Sequence, residues 1–172
     1  MQIEKFCEFH PEHVFLYDRI LHLIRPVQES YPQLEKWYKS VFLPGLFQGE
    51  RGYVVAHDQG QLVGCALIKK TPIEKKLCTL FVRPDFRRKG VGVALLEGVI
   101  EELGPKPFVS VSEESFKEVM PLFKQFGFQL SGQKRGPYRT GKKEFYFNGM
   151  PVCSRPKKIR SRLIAQAKQK TI

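Results

Sequence analysis

The chain is poor in the residues that would staple, metallate or anchor it. It has four cysteines and one tryptophan in 172 residues. Cys7, Cys65, Cys78 and Cys153 stand far apart with no C-x-x-C pair, and three of them sit in apolar runs. That pattern excludes a disulfide scaffold and suits buried free thiols in a reducing compartment. His10 and His13 are close in sequence, but no cysteine or acidic cluster completes a ligand set, so no metal site is expected. No apolar run approaches the ~18 residues of a membrane span and no signal-peptide pattern opens the chain, so a cytoplasmic protein without membrane contact is expected. The phosphate-loop pattern G-x-x-x-x-G-K-[ST] is missing, as is any internal repeat. Acidic residues are absent after Met150, where seven cations follow one another from Arg155 to Lys170.

What is present is enough for one core. Hydrophobic residues make up 42% of the chain and aromatics 12%, and the length fits a single domain. We expect that domain over residues 1–149, with residues 150–172 a basic tail open to helix formation from Lys157. The formal charge is +12, and removing the tail leaves +5. A surplus of that size suits a domain that binds a polyanionic small molecule.

Hydrophobic periodicity orders the elements. Gln2–Phe6 alternates as a short strand. Val14, Tyr17, Leu21 and Ile24 form the inner face of a helix that Pro26 stops. A second helix is expected from Pro32 to Phe42, with Leu34, Trp37, Tyr38 and Val41 inward and a break at Pro44, Gly45 and Gly49. Tyr53–His57 and Leu62–Ile68 read as a hairpin around Asp58-Gln59-Gly60. Leu77–Val82 reads as a central strand covered on both faces. A helix over Val91–Leu103 buries Val91, Ala94, Leu95, Val99 and Leu103, and Gly104-Pro105 ends it. Pro107–Val111 is a strand. Ser112 caps a helix running to Phe126, in which Pro121 predicts a kink or a late start. Gly127–Leu130 and Glu144–Phe147 close a mixed α/β sheet, and the order rules out a doubly wound one.

The chemistry is concentrated in Arg83–Leu96, between the apolar strand and the amphipathic helix. The first N–H groups of a helix lack partners inside it, and its dipole puts partial positive charge there. Gly90 and Gly92 remove side chains where a diphosphate must approach the backbone, and Arg87, Arg88 and Lys89 add fixed charge. These parts form an anion cradle. A dinucleotide fold would need a third glycine where Leu95 stands.

Arg87-Arg-Lys-Gly90-Val-Gly92, following Leu80-Phe-Val82-Arg-Pro84, resembles the loop and preceding strand of the GCN5-related N-acetyltransferase (GNAT) superfamily. Leu122-Phe-Lys-Gln-Phe-Gly-Phe128 resembles its later Leu-Tyr-x-x-x-Gly-Phe segment, and the element order matches from Tyr53 to about Phe147. The resemblance implies a mostly antiparallel central sheet, splayed in the middle and flanked by helices. It implies acetyl-CoA as co-substrate, with Leu80, Phe81 and Val82 along the pantetheine arm. The pyrophosphate would then rest on Arg88, Lys89, Gly90, Val91, Gly92 and Val93, with Arg87 ordering the loop. The implied reaction is direct attack of a primary amine on the thioester while both substrates are bound. The superfamily's frequent tyrosine acid falls at Phe123, which has no hydroxyl, and an Asn often found one turn earlier falls near Phe116. Strand 77–82 holds no carboxylate, so Tyr138 and Glu113 are the catalytic candidates. Cys78 lacks an adjacent base.

The acceptor would enter opposite the cofactor, past Tyr31, Trp37, Tyr38, Phe42, Tyr138 and Arg139; Trp37 at helical spacing also fits a core. An amine-bearing small molecule or protein is expected, and a basic rim favours one attached to an anion. Two alternatives stay open: an RNA-associated, aminoacyl-tRNA-type acetyltransferase, and a non-catalytic module binding acetyl-CoA or nucleic acid. For either, the basic tail would contact phosphates.

Overall fold

The computed structural model describes residues 1–151; the expectations for the basic tail and for Cys153 lie outside the described residues. Seven strands form one sheet: β1 (Gln2–Phe6), β2 (Arg51–Asp58), β3 (Gln61–Lys70), β4 (Lys75–Val82), β5 (Phe108–Ser112), β6 (Leu130–Arg135) and β7 (Lys143–Phe147). Their spatial order is β1-β2-β3-β4-β5-β7-β6. Every neighbouring pair is antiparallel except β4 and β5, which run parallel.

Among the described residues, five α-helices cover the two faces: α1 (Val14–Ile24), α2 (Leu34–Trp37), α3 (Leu43–Phe47), α4 (Val91–Leu103) and α5 (Glu113–Gln125). Period-two alternation along β2 divides the core. Val54 and Ala56 face α4 and α5, while Tyr53 and Val55 face α1 to α3. On the second face, buried tyrosines satisfy one another: the Tyr38 hydroxyl lies 2.7 Å from that of Tyr53 and donates to the Tyr17 carbonyl at 2.9 Å. β2 and β3 turn at Gln59 and Gly60, both with positive φ (48° and 76°), the conformation a two-residue hairpin requires.

Several expectations change. β3, buried without a break from Leu62 to Ile68, is the strand covered on both faces. β4 is only half-buried beyond Leu77, because its neighbour on the other side leaves it. The chain also does not break at Pro44. Residues 38–42 form a π turn in which the Leu43 N–H donates to the Tyr38 carbonyl, and α3 continues through Pro44 and Gly45. One extra residue in that turn rotates the face by about 100°, so Phe42 is buried and Val41 exposed. In α1, Ile20 is inward and Val14 exposed. α5 runs unbroken across Pro121, capped by Ser112 Oγ accepting from the Ser115 N–H at 3.4 Å. β6 starts at Leu130 instead of Gly127 and takes in residues expected to be loop.

α4 lies close against the sheet because Gly98 has no side chain. A Cβ there would come within 2.7 Å of Val54 Cγ1. Gly98→Ala should therefore lower stability by about 1–3 kcal/mol through overpacking, against the ~1 kcal/mol gain that helix propensity alone predicts. Chemical denaturation of the two proteins checks the sign.

Candidate active site

The parallel pairing of β4 and β5 is confined to Lys76 with Phe108 and Leu77 with Val109. Beyond those pairs the strands part. Cys78 is an extra residue in β4, since Ile68 pairs with Leu77 and Leu67 with Thr79. Such a bulge twists and bends its strand. The Arg83 N–H donates to the Val63 carbonyl at 2.9 Å, and Phe81 pairs with Cys65 on the same side. By alternation the backbone groups of Leu80 and Val82 turn toward the gap, whereas those of Phe81 belong to β3. The Phe81 side chain packs under α1.

The loop after β4 brings the predicted anion residues to one edge of this gap. Arg88 and Gly90 adopt positive φ, 57° and 83°, which turns the chain from strand into α4. The first internal bond of α4 runs from the Ala94 N–H to the Gly90 carbonyl at 3.0 Å, so the N–H groups of Val91, Gly92 and Val93 have no partner inside the helix. The first turn carries no acidic side chain. A Cβ on Gly92 would meet only Leu122 at 3.5 Å and Val82 at 4.0 Å, and one on Gly90 nothing within 4 Å. The protein's own packing thus leaves open space over this turn, as a diphosphate cradle requires. Arg87 turns away from it. Its Nε donates to the Val82 carbonyl at 3.2 Å and its Nη1 pairs with Glu118 at 2.7 Å, tying β4 to α5.

Cavities open on the opposite face, two of them beside β4. One, of about 640 Å³, lies between α1 and the outer end of β4, beside His22, Phe81 and Arg83. The other, of about 380 Å³, reaches across the gap: Cys78 and Thr79 come from β4, Ser110 from β5, Tyr31 and Trp37 from the helical segment, and Tyr138 from the β6–β7 loop. Behind its wall Glu144 is 3% exposed, and the Tyr31 hydroxyl donates to its Oε1 at 2.7 Å. Burial raises the pKa of Glu144 above the ordinary carboxylate value, opposed by the Tyr31 and Ser110 hydroxyls and by the charges of Lys76 and Arg139. A buried carboxylate on a hydroxyl that lines a cavity is a proton acceptor in waiting. From the sequence it looked like a strand residue among aromatics, with no local signal of its burial.

The two catalytic candidates are placed differently. The Tyr138 ring meets that of Tyr31 edge-on, centroids 5.0 Å apart, over the cavity mouth. Glu113 points away. Its Oε2 accepts from the Lys143 N–H at 2.8 Å and its Oε1 pairs with Lys142 at 3.3 Å. These bonds, the backbone one first, hold its pKa below the ordinary value. Its carboxylate anchors the end of the β6–β7 loop at Lys142 and Lys143. Tyr38 and Phe42 are buried in the core and do not line the cavity. Phe123 is buried against Phe128 and Phe147, and Phe116 stacks on Phe145. Burial also raises the pKa of the Cys78 thiol, which disfavours the thiolate a nucleophile needs.

Comparison with known proteins agrees with this geometry. Residues 27–150 match the family model described as Acetyltransferase (GNAT) domain. The [ribosomal protein bS18]-alanine N-acetyltransferase of Escherichia coli K12 is 28% identical over 129 residues, covering 72% of this chain and 83% of that protein. The crystal structure of a ribosomal-protein-alanine N-acetyltransferase from Brucella melitensis superposes with a TM-score of 0.64 at 17% identity, over 86% of this chain and 98% of that one. An aminoglycoside 6'-N-acetyltransferase complexed with coenzyme A superposes with a TM-score of 0.59 at 17% identity, over 86% and 95%.

The loop carrying Tyr138 is held by charge. Arg139 pairs with Glu114 and donates to the Glu29 carbonyl at 3.1 Å, and Lys142 reaches Glu114 at 3.1 Å. The Arg139 bond above all holds the Glu114 pKa down to about 2. A depressed folded value means that the clasp contributes fully above the ordinary carboxylate range and is lost as pH falls from about 4.5 toward about 2. Glu114→Gln should release the loop at neutral pH. Tryptic cleavage at Arg139 and Lys142, followed by mass spectrometry, should then run faster than in the parent protein.

Proposed function

The chain belongs to the GNAT acetyltransferase family, and on that basis we propose that it transfers the acetyl group of acetyl-CoA directly to a primary amine seated in the 380 Å³ cavity beside Tyr31 and Ser110. The observation that carries this reading is the gap between β4 and β5. It has a cation-rich helix start at its edge and an aromatic cavity on its far side, so two substrates can meet through the sheet.

The residues of the cradle fit the cofactor. Val91, Gly92 and Val93 offer N–H groups without a partner inside the helix, Arg88 and Lys89 offer charge, and among the described residues no side chain fills the space over Gly90 and Gly92. Leu80 and Val82 turn backbone groups toward the gap, where an extended amide-bearing arm can add to the free edge of β4. Phe81 would contribute through its position in the strand and Arg87 by holding β4 to α5. When bound, acetyl-CoA supplies an activated carbonyl.

The chain's own residues then handle the proton. An amine of the lysine type, with a pKa of ~10.4, must lose one before or during attack. Glu144 accepts it through the Tyr31 hydroxyl, which lines the cavity and donates to that buried carboxylate at 2.7 Å. The amine nitrogen forms its bond to the carbonyl carbon, the carbon–sulfur bond breaks, and the sulfur takes the electron pair and later a proton. Tyr138 closes the mouth of the cavity over Tyr31 and excludes water. Glu113 keeps the loop of Tyr138 in place. The acetyltransferase relatives favour this reading over a non-catalytic binding module. Residues 1–149 are the proposed catalytic unit. The contact of the basic tail with phosphates and an RNA-linked acceptor remain secondary proposals, resting on the tail's seven cations.

Two measurements test the reading. Gly92→Val places a branched side chain over the cradle, while its Cβ stays at ordinary contact distances. It should leave the fold intact and weaken coenzyme A binding by at least ~10-fold, in keeping with the loss of charge-assisted bonds worth about 1.5–3 kcal/mol each; unchanged affinity by calorimetry would remove the cradle from the proposal. Glu144→Gln should lower thiol release from acetyl-CoA by about 10²–10⁴-fold, the usual range for losing a general base. Because the pKa of Glu144 is raised, the parent's rate should fall on the acid side at a pH above the ordinary carboxylate range, and that limb should vanish in the variant.

A further inference from the structure

Arg51 stands at the start of β2 and its side chain reaches the wall of the cavity that holds Tyr31 and Ser110. The stem lies against Gly45, where a Cβ would come within 2.6 Å of Arg51 Cγ, so the missing side chain at Gly45 gives the arm its path. The guanidinium carbon lies 5.8 Å from the centroid of the Trp37 ring, and Nη1 donates to Cys78 Sγ at 3.5 Å. Its Nε is buried with no hydrogen-bond partner. Among the described residues no carboxylate forms an ion pair with Arg51.

A guanidinium has five donors, and a thiol is a weak acceptor. Holding one half-buried, on an aromatic face and without a counter-ion, costs stability that the packing nearby does not return. The other charges of the cavity sharpen the point. Lys69 pairs with Glu74 and is neutralised by it. Lys76 lies 5.1 Å over the Phe108 ring, and its charge is felt by the buried Glu144. Among the described residues, Arg51 has neither a carboxylate paired with it nor a task in binding coenzyme A.

We infer that the acceptor is an amine carrying its own anionic group, a carboxylate or a phosphate, and that Arg51 binds that group while the amine faces Tyr31. The inference rests on the acetyl-transfer reading above and names its substrate class. Planar, paired donors match carboxylate and phosphate oxygens in two parallel bonds, which orient the molecule as well as hold it. Trp37 and Tyr31 cover the carbon chain between the two charged ends. A polycationic amine meets repulsion from Arg51 and Lys76 at the same wall and is selected against.

The experiment compares transfer from acetyl-CoA to three matched primary amines of equal chain length: one ending in a carboxylate, one in a phosphate monoester and one in a neutral amide. The anionic amines should be used with roughly 10- to 100-fold higher kcat/KM than the amide, as expected for one charge-assisted pair. Whichever anion leads identifies the source. Arg51→Gln should erase that preference by raising KM for the anionic amine, with coenzyme A affinity unchanged; Arg51→Lys should restore part of it. Equal use of all three amines by the parent protein would overturn the inference and leave the transfer reading standing, and this arm does not depend on whether a variant folds. Failure of coenzyme A binding and of transfer to every amine would instead sink the parent reading, and the substrate class with it.

Discussion

Everything the site can do depends on two neighbouring parallel strands that cannot stay together. β4 and β5 pair at Lys76–Leu77 and Phe108–Val109 and nowhere else. β4 is drawn to β3 along its length, with the Cys78 bulge increasing its bend, while β5 is held on its other edge by four pairs to β7. The strands therefore part at the middle of the sheet, where an ordinary fold would be sealed. Unpaired backbone polar groups inside a protein are costly unless something satisfies them. Helices pack on both faces of the sheet around the gap, and in the proposed reaction the β4 edge seats the extended arm of the cofactor.

Charge is arranged around that gap in layers. At the cradle, Arg88 and Lys89 stand beside free helix N–H groups with no carboxylate in the first turn of α4 to compete. On the far face, acidic groups do mechanical work: Glu113 and Glu114, at the start of α5, hold Lys142, Lys143 and Arg139 of the loop that carries Tyr138. Glu118 does the same for Arg87. Among the described residues Glu144 is the one deeply buried carboxylate, and it accepts from the Tyr31 hydroxyl instead of pairing with a cation. Ion pairs at the surface position the elements, and the buried, incompletely compensated groups are where chemistry or binding can occur.

The legibility of each part follows the range of the forces that shape it. The bounds of α4 agree from Val91 to Leu103, because Gly90, the apolar stripe and Gly104 are all local signals. The hairpin at Gln59–Gly60 and the cap at Ser112 are local in the same way. Misreadings occur where a distant contact overrides local preference. The π turn at residues 38–42 shifts the buried face from Val41 to Phe42, because Phe42 stacks on Tyr38 and packs against Tyr53. β4 looked doubly covered because its residues are apolar, but its exposure is set by where β5 goes. Tyr38 was expected at the acceptor mouth, yet its hydroxyl is needed between Tyr17 and Tyr53.

The sequence alone determined the order of the elements, the mixed sheet, and the glycine-rich basic turn from Arg87 to Val93, whose composition and bend are local to the chain. The tertiary structure decided what else the acceptor side contains. Arg51, Cys78, Ser110 and Glu144 come from four separate strands and join Tyr31, Trp37 and Tyr138 there, and nothing in their spacing says that they meet. Their roles come from burial and mutual distance, which exist only once the sheet has closed around its gap.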